Sequence, residues 1–301
     1  MTETTLDAQI EAPPPPPEHS RAKLVREEEK KDDGIVGFLL FVLKLALVVL
    51  AFRSFAFAPF SIPSESMLPR LQIGDYLLAS KWNYGFSNYS LPFGLHLFPK
   101  GRLFAGQPER GDIVIFKAPP TQKEDYIKRV IGLPGDQIQM VGGTLFINGI
   151  EVKKQRIEDF VQPIDDAMLS DAQARERVTP CFALKFEVKT PDGRACRYPQ
   201  FTETLPNGVS YRVLDFGTSW ADDTPPRVVP DGMLFVMGDN RDNSMDSRYP
   251  AAEGQGVGLV PQDNLEGKAA IMVWSTDGSV RWYEPWTWFT ATRWSRIGGR
   301  L

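Results

Sequence analysis

The chain has 301 residues, of which 42% are hydrophobic and 24% charged, so it is long and apolar enough to bury a core and is not a disordered protein. Its formal net charge of -4 excludes the strong basic field that draws a protein to nucleic acid or to anionic lipid. We therefore expect no nucleic-acid partner, and the function has to be encoded in local features of the sequence.

The first 33 residues differ in composition from the rest of the chain. They contain the proline run "APPPPPEHS" and then the charged run "RAKLVREEEKKDD", with almost nothing to bury. Such a composition is typical of a solvated segment with some polyproline II character. Residues 1–33 are therefore predicted to be a disordered tail.

An apolar run, "IVGFLLFVLKLALVVLAF", follows at residues 35–52, and its 18 residues are near the minimum that crosses a hydrocarbon core of about 30 Å. One charge, Lys44, interrupts it. A lysine in mid-span costs about 2.5 to 3.5 kcal/mol, which the surrounding leucine, valine and phenylalanine residues offset. We interpret Lys44 as a side chain that extends towards the interface and predict a transmembrane anchor over residues 34–53.

The charges around the run predict its orientation. The basic residues before it outnumber Arg53 and Arg70 after it, so the positive-inside rule places the N-terminus in the cytoplasm. The competing interpretation is a cleaved signal peptide, because "AFA" at residues 56–58 has a small-x-small pattern. The polar leader is too long for that, and Pro59, which lacks an N–H, follows at once. An uncleaved anchor is favoured.

Past the anchor, short apolar and β-branched segments recur between turn signals, which is typical of strands. Asn148 and Gly149 separate two strand-like halves in a strong hairpin signal at residues 145–152. Helical periodicity is confined to residues 162–178, so this region is predicted to be mainly β. The other strand-like segments are residues 75–81, 112–118, 126–131, 136–140, 233–238 and 269–275.

The stretch over about residues 150–229 is more polar than its surroundings and holds both cysteines. We predict that it is a subdomain inserted in a β core of about residues 54–149 and 230–301. Cys181 and Cys196 would lie on the oxidising side of the membrane, where a disulfide can form. Two buried free thiols remain the alternative, because cysteines on either side of a tight turn at residues 192–193 would not face each other.

Histidine chemistry has little support. The only two histidines are His19, in the tail, and His96, in the loop "LPFGLHLFPKG", and neither an HExxH nor a CxxC motif is present. A metal site therefore lacks its usual ligands, and none is predicted. A Ser/His/Asp triad could use only His96, and a lone histidine among proline and phenylalanine is more typical of a loop residue.

A lysine can replace histidine as the base if it is neutral. In "YIKRVIGLPGD", Lys128 lies within a strand-like run, where desolvation beside apolar side chains lowers a lysine pKa from about 10.4. The alternative is an edge strand on which Lys128 blocks unwanted pairing. The segment "GDNRDNSMDSR" at residues 238–248 is, by itself, a solvated polar loop or an acidic metal loop, although it lacks EF-hand spacing.

Four segments occur in order behind the anchor, and together they resemble the successive sequence boxes of bacterial type I signal peptidases, also called leader peptidases. The tail "RWSRIGGRL" resembles the C-terminus of that family. Residues 150–230 match no box, and some members have two spans where this chain shows one. The four segments are "PSESM" (63–67), "RGDIVIF" (110–116), "KRVIGLPGD" (128–136) and "GDNRDNSMDSR" (238–248).

The resemblance implies a membrane-anchored, mainly β fold of the signal-peptidase type with one N-terminal transmembrane helix and an inserted subdomain. It also implies a serine protease that uses a Ser/Lys dyad. Ser66 matches the nucleophile and Lys128 the general base. The backbone N–H of Ser66 and the hydroxyl of Ser64 match the oxyanion hole.

Three further positions match supporting residues of the family. Ser244 matches the serine that orients the lysine amine, and Asp246 with Arg248 matches an ion pair behind the site. No cofactor and no metal are implied. The expected partners are exported preproteins, cut after a small-x-small motif, together with the lipid bilayer and the secretion translocon. The expected location is the bacterial inner membrane, with the catalytic region over residues 54–301 on the extracytoplasmic side.

The main alternative function is a membrane-tethered, non-catalytic β domain that binds export substrates. The presence of Ser66, Lys128 and Ser244 together argues against it. An SxxK acyl transferase fails because Pro69 stands three residues after Ser66. The transmembrane anchor excludes a self-cleaving Ser/Lys repressor.

The tryptophans between residues 282 and 294 are compatible both with contact at a bilayer interface and with core packing.

Overall fold

The computed structural model describes residues 34–91, 101–281 and 283–301. The predicted tail over residues 1–33, His96 and Trp282 lie outside the described residues. The chain divides into a unit of residues 1–50 and a compact unit of residues 51–301, and every strand of the described part belongs to the second unit. The prediction of a mainly β protein behind an apolar N-terminal segment is confirmed.

Helix α1 spans Ile35–Phe55, the apolar run identified in the sequence. It has 21 residues and a mean hydropathy of 2.9, which are the length and composition of a helix that crosses a membrane. It is the one such helix among the described residues. Two shorter helices follow, α2 at Asp166–Ala174 and α3 at Thr287–Thr290.

Fifteen strands lie in the described residues, and every pair of neighbours in the three sheets is antiparallel. They are β1 Phe57–Ser61, β2 Asp75–Ser80, β3 Ile113–Lys117, β4 Asp125–Gly132, β5 Gln137–Val141, β6 Thr144–Ile147, β7 Ile150–Glu151, β8 Lys153–Pro163, β9 Glu187–Thr190, β10 Gly193–Thr204, β11 Ser210–Leu214, β12 Arg227–Val228, β13 Met233–Met237, β14 Val260–Pro261 and β15 Leu265–Ser275.

The largest sheet has seven strands in the order β1-β2-β15-β3-β4-β13-β14. Strand β15 therefore joins β2 to β3, although it is made last. Alternating apolar residues of these strands pack into two buried clusters, one of which contains Met67 and Leu71 directly after β1. The turn that follows β1 is thereby fixed against the core.

Strand β4 lies in the interior of this sheet, but only half of it is paired on both sides. On one side the whole of Asp125–Arg129 pairs with β3, including Lys128 opposite Val114. On the other side the pairing with β13 begins at Arg129 and continues to Gly132. The first half of β4 therefore presents an open edge, while Lys128 is only 4% exposed. Lys128 therefore lies at a locally open edge, as the edge-strand alternative expects, but its side chain is buried.

The polar stretch between the two halves of the core builds a separate sheet in the order β11-β10-β8, with β9 beside β10. The two ends of the stretch, however, are not separate from the core, although the sequence suggests an inserted subdomain over about residues 150–229. Strand β7 pairs with β6 and strand β12 pairs with β5, so both ends of the stretch are part of a third sheet. Asn148 and Gly149, with φ angles of 54° and 78°, form the predicted turn between β6 and β7.

The helix and the two cysteines of this stretch can be compared with the sequence predictions. The helix expected over residues 162–178 is shorter, because β8 continues to Pro163 and α2 begins after Asp165, which caps it by accepting from Met168 N–H. Cys181 and Cys196 form a disulfide. Cys196 lies on β10 opposite Glu187, whereas Cys181 lies in the loop before β9, so the bridge does not have to cross the turn at residues 192–193.

The C-terminal segment closes the large sheet around a buried carboxylate. Asp75, at the start of β2, is completely buried, accepts a hydrogen bond from Ser275 on β15 and forms an ion pair with Arg296 at 2.5 Å. Gly298 N–H donates to Met272 O at 2.8 Å. Core packing does not explain the aromatic residues before this segment, because the described ones are exposed: Tyr283, Trp286, Trp288, Phe289 and Trp294.

Candidate active site

Ser66 lies in the turn that follows β1. The Leu68 N–H donates to Glu65 O at 3.0 Å, and the buried side chains of Met67 and Leu68 hold the turn against the core. Ser66 is 7% exposed, and its carbonyl accepts from Asn240 N–H at 3.1 Å. The serine hydroxyl is therefore held at the surface of a packed region and does not move with a free loop.

Lys128 reaches this serine from β4. Its Nζ donates to Ser66 Oγ at 2.7 Å and to Ile127 O at 3.0 Å. Burial lowers the Lys128 pKa from its ordinary value of 10.5 to about 8, and the positive charge of Arg248 adds to this, whereas Asp246 and Asp239 oppose it. A lysine with this pKa is neutral in about a tenth of the molecules at pH 7, so it can accept a proton.

Two hydrogen-bond donors, the Ser64 hydroxyl and the Ser66 N–H, lie beside Ser66 Oγ. Ser64 is partly buried, and its Oγ lies 3.3 Å from Ser66 Oγ. Within the described part of the chain, no group accepts a hydrogen bond from the backbone N–H of Ser66. A hydroxyl and an unengaged N–H beside a nucleophilic oxygen are the groups that stabilise a tetrahedral oxyanion.

Asp246 and Arg248 lie behind Lys128 as a fully buried ion pair. Arg248 Nε donates to Asp246 Oδ1 at 2.9 Å, and Gly238 N–H donates to Asp246 Oδ2 at 3.0 Å. Burial opposes the Asp246 carboxylate, but Arg248 and these hydrogen bonds more than offset it and hold its pKa below the ordinary value. The pair is thus electrically balanced, and both of its side chains are shielded from solvent.

Ser244 is placed in the site but does not make the expected contact. It is 4% exposed, and its Oγ has no hydrogen-bond partner among the described residues, so it does not orient the amine of Lys128 in this structure. The amine already donates to Ser66 Oγ and to Ile127 O. Ser244 lies against Gly238, where an added methyl group would collide with Ser244 Oγ and with the carbonyl oxygen of Ser66. Glycine is therefore required at this close approach.

Several residues that the motifs did not single out also build the site. Asn240 Nδ2 donates to Glu65 O at 3.1 Å, and Asn243 Nδ2 donates to Glu65 Oε2 at 3.0 Å, so the 238–248 loop holds the residue before the serine. Arg177, from the stretch that matches no motif, also contacts Glu65. The polar composition of the loop could have indicated the two asparagines, whereas nothing in the sequence marks Arg177.

A cleft of about 670 Å³ opens over the serine and the lysine. The chain from Pro63 to Ser66 and the open half of β4 from Asp125 to Lys128 line it. Charged side chains of the stretch that matches no motif line it as well: Asp171, Arg175 and Arg177. Both β1 and β4 run in the same direction, since an even number of antiparallel steps separates them in the sheet. The β4 side of the cleft is thus an extended segment with an open edge, which can accept an extended peptide.

A buried serine that accepts a hydrogen bond from a buried lysine, in a cleft for an extended chain, defines a serine endopeptidase on a mainly β fold. The family described as "Signal peptidase, peptidase S26" matches residues 35–274. The chain belongs to this signal peptidase family, which confirms the resemblance and the enzyme class.

Two relatives from the genus Rickettsia agree with the family assignment. The chain is 36% identical over 253 residues to signal peptidase I of Rickettsia prowazekii (strain Madrid E), covering 81% of this chain and 80% of that one. The figures are the same for signal peptidase I of Rickettsia typhi (strain ATCC VR-144 / Wilmington). The crystal structure of a signal peptidase I from Enterococcus faecalis V583 is 28% identical, with a TM-score of 0.26, and covers 54% of this chain and 96% of that chain.

Proposed function

We propose that this chain removes N-terminal signal peptides from exported preproteins with a Ser66/Lys128 dyad. The observation that carries the proposal is the hydrogen bond of 2.7 Å from Lys128 Nζ to Ser66 Oγ at a buried position. Burial lowers the Lys128 pKa to about 8, so a neutral amine is available near neutral pH. A neutral amine is what the first step of the reaction requires.

In acylation, neutral Lys128 takes the proton of the Ser66 hydroxyl while Ser66 Oγ bonds to the scissile carbonyl carbon. The carbonyl oxygen becomes an oxyanion, which accepts hydrogen bonds from the Ser66 N–H and the Ser64 hydroxyl. When the tetrahedral intermediate collapses, the C–N bond breaks and protonated Lys128 gives its proton to the leaving amine. The mature protein leaves with a new N-terminus, and the signal peptide stays as an ester on Ser66.

In deacylation, Lys128 takes a proton from water while the water oxygen attacks the ester carbonyl carbon. The C–O bond to Ser66 then breaks, and the proton returns to Ser66 Oγ. The buried ion pair between Asp246 and Arg248 stays in place beside the lysine in both steps. No step requires a metal or an organic cofactor.

The open half of β4 supports a substrate that binds as an added strand. The backbone groups of residues 125–128 on the side away from β3 have no partner in β13, so an extended peptide can pair with them. Cleavage after a small-x-small motif, which the family resemblance implies, is part of this proposal.

Helix α1 supports a membrane-bound enzyme. We infer that it is an uncleaved anchor in the bacterial inner membrane, with residues 1–33 in the cytoplasm and the catalytic unit on the extracytoplasmic side. The lipid bilayer is then a partner of α1, and preproteins would be received from the secretion translocon. The exposed aromatic residues between Tyr283 and Trp294 suit contact with the bilayer interface.

The test is cleavage of a purified preprotein that carries an Ala-x-Ala site, by the full chain in detergent. The Ser66→Ala and Lys128→Ala variants are assayed beside the wild type, and the cut is mapped by mass spectrometry. A single cut after the second alanine that both variants lose supports the dyad. A folded wild type that binds the preprotein without cutting it would favour the non-catalytic binding domain instead.

A further inference from the structure

An arginine from the stretch that matches no family motif lies beside the proposed nucleophile. Arg177 follows α2, and its Nη1 lies 3.4 Å from Glu65 Oε2. The other end of the same guanidinium donates to Asp171 at 2.5 Å. Arg177 is therefore held between a carboxylate of α2 and the carboxylate of the residue that precedes Ser66.

Arg177 is the cation that faces the buried Glu65 carboxylate. The residue is 7% exposed, and burial raises its pKa above the ordinary value; Arg177 opposes this shift, Asp171 adds to it, and the net direction is upward. Asn243 is the second donor to Oε2, and Oε1 is buried with no hydrogen-bond partner among the described residues. Without Arg177 the carboxylate would keep a single neutral donor, which is insufficient for a buried charge.

The backbone of Glu65 is part of the nucleophile turn. Its carbonyl accepts from Leu68 N–H and from Asn240 Nδ2, and the same peptide bond carries the Ser66 N–H, the backbone donor of the proposed oxyanion hole. A displacement of the Glu65 side chain into solvent would rotate this peptide. The position of the oxyanion donor is thus coupled to the ion pair.

The segment that supplies Arg177 is itself fixed at both ends. Asp165 caps α2 and forms an ion pair with Arg293. Downstream, the disulfide from Cys181 to Cys196 attaches the loop to β10. An arginine held on both sides in this way can act as a rigid support, which a mobile surface side chain cannot.

We propose that Arg177 is a positioning residue for peptide cleavage, which neutralises Glu65 and thereby holds the Glu65–Ser66 peptide in its reactive orientation. This role rests on the proposed function of Ser66 as the nucleophile. The stretch between the two halves of the core is then a working part of the active site.

The experiment is a double-mutant cycle on the full chain in detergent, with kcat and KM measured on a preprotein with an Ala-x-Ala site. Arg177→Met removes the charge and keeps most of the volume, and we expect it to lower kcat by about 10- to 100-fold with KM changed less than about threefold. In a Glu65→Gln background the same substitution should lower kcat by less than about threefold, because no buried charge remains to be neutralised. Arg177→Lys should restore part of kcat.

The control is Arg194→Met, which removes an exposed arginine of the same stretch that pairs with Glu187 and should match the wild type. An Arg177→Met variant with wild-type kcat overturns the proposal, and so does an equal loss of kcat in both backgrounds, which would mean that the loop is only structural. If Arg177→Met does not fold, the Arg177→Lys variant and the double variant decide in the same way. Activity retained by Ser66→Ala would instead refute the proposed nucleophile, so the two failures are distinguishable.

Discussion

Replacing Lys128 with methionine should abolish cleavage and stabilise the protein at neutral pH. The Lys128 pKa is about 8 in the folded protein against an ordinary value of 10.5, so keeping this lysine charged and buried at pH 7 costs about 3 kcal/mol, at about 1.4 kcal/mol per pKa unit. Methionine removes this cost but also removes the hydrogen bonds to Ser66 Oγ and Ile127 O, at about 1 kcal/mol each. The net gain is about 1 kcal/mol, or a few degrees in Tm.

The sign of this effect should reverse with pH. Because the Lys128 pKa is lower in the fold than in the unfolded chain, the unfolded chain binds more protons between about pH 8 and 10.5, and wild-type stability rises through that window. Above it the lysine is neutral in both states, so the Lys128→Met variant should become less stable than the wild type by about 2 kcal/mol. Thermal and urea unfolding of the full chain in detergent, followed by tryptophan fluorescence, measures both regimes.

The matched control is the Lys154→Met variant. Lys154 forms an ion pair with Asp215, so this variant should be less stable than the wild type at neutral pH. A Lys128→Met variant that is less stable than the wild type at pH 7, by an amount that does not change with pH, would refute the reasoning. It would mean that burial does not penalise the charged form of Lys128 and does not lower its pKa towards that of a neutral base.

Three further predictions concern the same unit. The kcat/KM should rise about tenfold per pH unit below pH 8 and level off above it, as Lys128 loses its proton, which a pH series measures directly. Gly238→Ala should lower kcat by roughly 100-fold, because the added methyl group displaces the carbonyl of Ser66. Reduction of the disulfide between Cys181 and Cys196, which are 15 residues apart, should lower the free energy of unfolding by about 3 kcal/mol, measured by urea unfolding with and without reductant.

Each of these has an outcome that would contradict it. A kcat/KM that stays level from pH 6 to pH 10 would exclude a titrating lysine base. A Gly238→Ala variant with wild-type kcat would show that the turn can yield without losing its geometry, and Gly34→Ala, at an open position, provides the control. Equal unfolding curves with and without reductant would mean that the loop before β9 is held by its packing alone.

The sequence predicted the parts of the site whose signals are local. A serine turn, a lysine in an apolar strand and a polar loop can each be recognised in a few adjacent residues, and their order carried the family resemblance. What these segments do together depends on contacts across 62 residues for Lys128 and Ser66. No pattern of propensity or periodicity reports such a distance, so the pairing had to come from the resemblance.

The features that the sequence missed or left undecided depend on long-range packing. Arg177 was missed, because its contact with Glu65 forms only when the chain after α2 lies beside the nucleophile turn. The disulfide was left undecided, because it depends on a loop that folds back over β10. The helix over residues 162–178 was predicted too long, because strand pairing of β8 with β10 overrides its helical pattern as far as Pro163. The expected contact of Ser244 with Lys128 is absent for a similar reason, since the close approach at Gly238 sets the position of Ser244.

The strand order of the large sheet determines when a newly made chain can complete that sheet. Strand β15 separates β2 from β3, so the part of the sheet that carries Ser66 and the part that carries Lys128 are joined by a strand that the ribosome delivers last. Asp75 receives its partner Arg296 later still. A nascent chain therefore lacks the strand that joins these two parts of the sheet until synthesis is almost complete.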